Sequence, residues 1–214
     1  MNLAAAAANS TGFRADQSSL AARPDLDEAS ICRLKTELSQ PPRIIAAAEK
    51  DLPELARLAG AIWRAVYPGI LSNEQIEFML AKMYAIETLR AEIRTGICFD
   101  RLLIGGEFVG FAAYGATSEK GVFKLHKLYL KPEFQGRGLG THLLQHCEAE
   151  VRKCGARRLF LTVNKRNVKA IAAYERNGFA IETSVVTEIG GGFVMDDFVM
   201  TKAWPLNPTS DGSG

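Results

Sequence analysis

The chain has 214 residues, 47% hydrophobic and 23% charged, a balance typical of one globular domain and unlike collagen, a coiled coil or a wholly disordered chain. Its 26 Lys and Arg against 24 Asp and Glu leave a formal net charge of +2, too even for a protein that binds nucleic acid through massed basic side chains. No apolar run nears the roughly 20 residues of a membrane span, and the scattered Cys32, Cys98, Cys147 and Cys154 lack metal-ligand spacing or a disulfide framework, so a soluble, cytoplasmic chain without metal is expected.

Residues 1–41 read as a disordered or loosely docked extension. The Ala4–Ala8 run is too short for a stable helix, although Ile31, Leu34 and Leu38 share a face that would suit a docking helix over 29–38. The start has no secretory signal, and an organellar address using Arg14 and Arg23 stays open. The expected domain spans 42–203, and residues 204–214 form a polar, turn-rich tail.

Within the domain, Ile44 and Ile45 open a short strand. Asp51 is placed to cap a helix carrying Leu55, Leu58, Ile62 and Val66, which stops at Tyr67-Pro68-Gly69. Ser72 and Gln75 fit a capping box for a second helix with Ile76, Met79, Leu80 and Met83 on one face, and a third runs over Ile86–Arg94. Strands follow at Ile97–Ile104, Glu107–Tyr114, across a Gly105-Gly106 turn, and Val122–Leu130. The helix from Leu139 presents Leu143, Cys147 and Val151 as one stripe and ends at Gly155. A strand at Arg158–Val163, a helix over Val168–Asn177 and two strands around Gly190–Gly192 complete the order. This alternation implies a mixed sheet with helices on its faces.

The junction Tyr129-Leu-Lys-Pro-Glu-Phe-Gln-Gly-Arg-Gly-Leu-Gly140 joins a strand to a helix through three glycines. Backbone N–H groups that turn inward there, together with the positive end of the helix, make a site for a diphosphate. The spacing fits neither GxGxxG nor the P-loop, because no third glycine falls in register and no Lys-Ser/Thr pair follows.

What remains, Gln135-x-x-Gly-x-Gly140 after a strand, resembles the coenzyme A loop of the GNAT acyltransferase superfamily. A second segment strengthens the resemblance: Leu161-Thr-Val-Asn164, Asn167, then a helix with Tyr174 ending in Gly178-Phe179. The resemblance implies an α/β (α+β) fold of about six to seven strands, helices on both faces, and a splay between the fourth and fifth strands. It implies an acetyl-CoA-dependent N-acetyltransferase acting on a primary amine of a small molecule by direct attack in a ternary complex.

The alternatives are a protein N-terminal or lysine acetyltransferase, and a non-catalytic coenzyme A sensor. Acetyl-CoA and an amine are the expected partners, without nucleic acid or membrane, and a homodimer is possible.

Residue by residue, the resemblance places the coenzyme against Leu128, Tyr129, Leu130, Gln135, Gly136, Arg137, Gly138, Leu139, Gly140, Thr141, Asn164, Asn167 and Tyr174. The Leu130 N–H would stabilise the oxyanion, and Tyr174 would protonate the departing sulfur. Asn164 and Asn167 are equally suited to bracing the strand-to-helix turn. His126, expected to alternate with Leu128 and Leu130, is the candidate base, with a structural histidine as the alternative. Trp63, Tyr67, Phe78 and one of Asp196 and Asp197 would wall the acceptor pocket; adjacent aspartates on a strand face opposite sides, so at most one points inward.

Overall fold

The computed structural model describes residues 40–205; the expected docking helix and most of the tail lie outside them. β1 (Arg43–Ala46) leads through a 3-10 turn (Glu49–Asp51) into α1 (Leu52–Val66), α2 (Asn73–Met83) and α3 (Ile86–Arg94). β2 (Cys98–Ile104), β3 (Glu107–Ala116) and β4 (Val122–Leu130) form an antiparallel meander. After a 3-10 turn (Pro132–Phe134) come α4 (Leu139–Lys153), β5 (Arg158–Asn164), α5 (Val168–Arg176), β6 (Ala180–Gly190) and β7 (Phe193–Ala203). The seven strands form one sheet ordered β1-β2-β3-β4-β5-β7-β6, parallel only between β4 and β5. No helix among the described residues is long and apolar enough to cross a membrane.

Helices cover both faces because each carries one apolar stripe. Leu139, Leu143, Cys147 and Val151 of α4 pack with Leu125, Leu128 and Leu130 of β4 and Leu159 and Leu161 of β5. On the opposite face, Leu55, Ile62 and Trp63 of α1 meet Phe99, Phe111 and Tyr129. Burial stabilises the fold by about 1.5–3 kcal/mol for each large apolar side chain, so the sheet is clamped from both sides and the strands between are held in place.

Two local expectations change. Asp51 holds the N-cap position of α1 as expected, but its side chain makes no cap bond there; the carboxylate accepts from the Ala48 N–H at 2.8 Å and closes the 3-10 turn ahead of the helix. Ser72 caps α2, its Oγ accepting from the Gln75 N–H at 3.1 Å. The Gln75 side chain, however, reaches across to donate to the Val194 carbonyl at 2.8 Å, tying α2 to the β6–β7 hairpin.

β4 contains a bulge. Tyr114 opposes Leu125 and Ala113 opposes Lys127, so His126 is an extra residue in the strand. Leu125, Leu128 and Leu130 consequently share one face although two residues, His126 and Lys127, separate the first two. The bulge interrupts at His126 the strict alternation counted along β4.

Candidate active site

β4 and β5 pair through Val122–Arg158, Phe123–Leu159 and Lys124–Phe160, and there the pairing ends. β5 continues beside β7 as far as Asn164 opposite Asp197, while β4 continues beside β3 as far as Leu130 opposite Gly110. The two parallel strands therefore open into a fork. The Lys131 N–H donates to the Val109 carbonyl at 2.9 Å. In an antiparallel ladder, that bond turns the main-chain groups of Leu130 and Leu128 away from β3, toward the gap β5 has left. Unpaired sheet amides need a partner, and an extended ligand with amides of its own can supply one.

Gly110 permits this geometry. A Cβ at that position would lie 2.4 Å from Leu130 Cδ2 and 2.5 Å from the Tyr129 carbonyl oxygen, so any side chain would push the open end of β4 aside. The sequence reading missed this residue, although a lone glycine inside a strand signals close backbone approach.

At the mouth of the fork, Gly136 and Gly138 have φ of 74° and 76°. A Cβ at either would meet nothing within 4 Å, so the left-handed backbone, rather than crowding, demands glycine. Gly140 has no such conformation and begins the buried face of α4. Gly138 is the N-cap of α4, leaving the first N–H groups of the helix, at Leu139, Gly140 and Thr141, without intrahelical partners. Gln135 latches the loop to the strand, its Nε2 donating to the Leu130 carbonyl at 3.2 Å. Arg137 stacks on Phe134, its guanidinium 5.5 Å from the ring centre. Thr141 Oγ1 accepts from Asn177 Nδ2 at 3.3 Å, joining α4 to α5.

A cavity of about 380 Å³ lies between this loop and the start of α5, lined by Val66, Ile70, Gln135, Arg166, Asn167 and Lys169 among others. Arg166 straps it, donating to the Gly69 carbonyl at 2.5 Å and the Ile70 carbonyl at 2.9 Å. No sequence signal marks Arg166, because its partners are main-chain oxygens distant in the chain. Both asparagines brace the strand-to-helix turn: Asn164 Oδ1 accepts from the Arg166 N–H at 3.0 Å, and Asn167 Oδ1 from the Ala170 N–H at 3.2 Å.

Tyr174 on α5 is 1% exposed, and its hydroxyl has no hydrogen-bond partner among the described residues. Burial first, then the nearby Tyr129 and Cys147, push its pKa well above the usual phenol range. Tyr174 belongs to the α4–α5 side of the sheet and Tyr67 and Tyr129 to the other; burial above all, with Tyr129 and then Tyr174 adding to it, pushes the Tyr67 pKa well above the usual phenol range.

Trp63 and Tyr67 are fully buried, with ring centres 4.7 Å apart, in an aromatic cluster that also holds Tyr129. They back the fork as packed core and do not line the cavity described above. Phe78 instead packs on Phe193 at 5.4 Å, and Lys82 Nζ donates to the Ile189 carbonyl at 2.7 Å, so the β6–β7 hairpin closes down on α2.

Of the two aspartates, Asp196 is half exposed and ion-paired with Lys165 at 2.5 Å. Asp197 is 3% exposed and its Oδ1 has no hydrogen-bond partner among the described residues. Burial, reinforced by Asp196 and opposed by Lys124 and Lys165, pushes the Asp197 carboxyl up to about 6. His126 is shifted in the other sense: burial, with Lys124 and Lys127 adding to it, brings its pKa down to about 3. An imidazole that weakly basic is a poor proton acceptor at neutral pH.

The chain matches the Acetyltransferase (GNAT) family over residues 52–179. It is 32% identical over 152 residues to the spermidine N(1)-acetyltransferase of Thermoplasma acidophilum, an alignment covering 69% of this chain and 91% of the relative. Among solved structures, PaiA N-acetyltransferase from Thermoplasma acidophilum in complex with coenzyme A superposes with a TM-score of 0.67 at 28% identity, covering 77% of this chain and 100% of that one. The ribosomal-protein-S18-alanine N-acetyltransferase of Escherichia coli shares the fold, with a TM-score of 0.62 at 21% identity over 79% of this chain and 98% of its own.

Proposed function

The chain belongs to the GNAT family of acetyl-CoA-dependent N-acetyltransferases, and from that premise we propose that the β4–β5 fork binds the acetylated arm of the cosubstrate and presents it to a small primary amine of polyamine type. The observation that carries the reading is the fork itself, with the Leu128 and Leu130 main chain turned into it and the unpartnered Tyr174 hydroxyl beside it.

The left-handed glycines and the free N–H groups of α4 suit a diphosphate, with about half a positive charge contributed by the helix end. Leu128 and Leu130 would pair with the amides of the pantetheine arm, and the Leu130 N–H would take the thioester oxygen as it gains negative charge in the tetrahedral intermediate. Tyr174 would protonate the sulfur. Its burial disfavours ionisation, so the phenol keeps its proton, and the same dry surroundings make a departing thiolate more basic than it is in water. Direct attack needs the amine and the thioester held in line, a role for positioning rather than for covalent chemistry on the protein.

A small acceptor is favoured because the β6–β7 hairpin is fastened to α2 through Gln75 and Lys82, and the β5–α5 turn to the α1–α2 turn through Arg166. The Thermoplasma relative is named for spermidine, and the buried Asp197 gives an ammonium group a counter-charge. Thiol release from acetyl-CoA, measured with spermidine, simpler diamines and an alanine-terminated peptide, tests the reading. Turnover with the amines and none with the peptide is expected; tight acetyl-CoA binding without turnover on any acceptor would make the protein a sensor.

A further inference from the structure

An ammonium group cannot attack a thioester until it loses a proton, and an amine of pKa near 10 is only about one part in a thousand free base at pH 7. A site of this kind needs a proton acceptor. His126, with its low basicity, does not meet the need. Among the described residues, Asp197 is a buried acidic side chain within electrostatic reach of Lys124, the last residue of β4 paired with β5. It stands opposite Asn164 in the β5–β7 ladder, at the end of the segment over which β5 has parted from β4. Its Oδ1 is unpartnered although the residue is 3% exposed, and a buried carboxylate oxygen is seldom left in that condition. Among the described residues, the charged and titratable groups around it are Lys124 from β4, Lys165 from the β5–α5 turn, Asp196 on its own strand and Tyr67 from the end of α1. Asp196 is occupied by Lys165.

We propose that Asp197 is the catalytic base, accepting a proton from the acceptor ammonium at Oδ1, directly or through one water. The proposal rests on the N-acetyltransferase reading above. The freed lone pair then forms the N–C bond at the thioester carbonyl. As the C–S bond breaks, the sulfur leaves with the proton of the Tyr174 hydroxyl, and the second proton shed by the nitrogen restores that hydroxyl. Asp197 gives its proton to solvent, so each turnover yields amide, free thiol and one proton. A carboxyl held near 6 is ionised at neutral pH yet more basic than an ordinary aspartate, which suits an acceptor working near that pH.

The test is the pH dependence of kcat and kcat/KM for Asp197→Asn beside the wild type, with acetyl-CoA and spermidine. The wild type is expected to gain activity between about pH 5 and 7 as one group ionises. The variant should lose that limb, fall about 100- to 1000-fold in kcat at pH 7, bind acetyl-CoA with unchanged Kd, and recover as pH approaches the amine pKa. Asp196→Asn should keep the acidic limb and most of kcat, with the limb displaced to lower pH because the Asp196 charge adds to the rise at Asp197. A raised KM for spermidine with kcat intact would make Asp197 an anchor only and overturn the proposal, as would an Asp197→Asn profile matching the wild type. Absence of the acidic limb from the wild type would overturn it even if the variant failed to fold. Failure of the wild type to bind acetyl-CoA would overturn both this proposal and the reading beneath it.

Discussion

The two halves of β4 differ in what their main chains are paired with. At Phe123 and Lys124 the strand is paired on both sides, with β3 and with β5. At Leu128–Leu130 it is paired on one side only, and its other edge faces the fork. Leu128, Tyr129 and Leu130 are fully buried whereas Phe123 and Lys124 are only partly so, and the difference in pairing lies in main-chain groups. An open edge is made inside the sheet by withdrawing one neighbour, while α4 and α5 keep the apolar face covered.

Changes at the closed half should therefore damage stability and spare binding, and changes at the open half should do the reverse. The largest effect is expected from Leu159→Ala, which empties a fully buried site opposite Phe123. It should lower unfolding free energy by about 2–5 kcal/mol in denaturant titrations and leave the acetyl-CoA Kd of the folded protein unchanged; a lost affinity would break the division. Gly138→Val puts a β-branched residue at φ 76°, where its strain must reshape the loop. Calorimetry should show acetyl-CoA binding weakened about 100-fold, near 2.7 kcal/mol, with stability falling by less than in Leu159→Ala. Tyr174→Phe removes a hydroxyl that bonds to nothing among the described residues, so stability should hold or rise while kcat falls about 100-fold with Kd unchanged. Smallest of all, His126→Gln should leave the pH–rate profile between 5 and 9 as it is, because an imidazole with a pKa of about 3 does not titrate there.

Stability also carries a pH signature of the open half. The Asp197 pKa is raised in the folded protein to about 6, above an unfolded value near 3.9. Its protonated form thus stabilises the fold fully below about pH 4, and that contribution is lost as pH rises through 6. Wild-type Tm should decline relative to Asp197→Asn over that interval, and parallel curves for the two would contradict the assignment.

What could be read from the chain alone divides in the same manner. The order of elements and the loop Gln135–Gly140 were legible because caps, stripes and left-handed glycines are local features. The face of His126 was not, since the bulge is a matter of register between β3 and β4, and alternation counted along one strand cannot reveal an extra residue. Trp63 and Tyr67 share a helical face with core residues, and periodicity does not separate a pocket wall from packed interior; only neighbours from β4 decide that. Asp196 and Asp197 were legible as a pair with one member inward. Which one it is depends on Lys165, which reaches Asp196 from the far side of a turn. Asp51 was legible as the N-cap position, but not the direction of its carboxylate, which turns back to the Ala48 N–H.

The central claim, that the open edge of β4 receives the cosubstrate, is tested most directly by amide hydrogen exchange at single-residue resolution with and without saturating coenzyme A. Leu128 and Leu130 should gain protection on binding while Val122, Phe123 and Lys124 keep theirs unchanged. Exchange at the two leucines that coenzyme A leaves unaltered, with the ligand demonstrably bound, would contradict it.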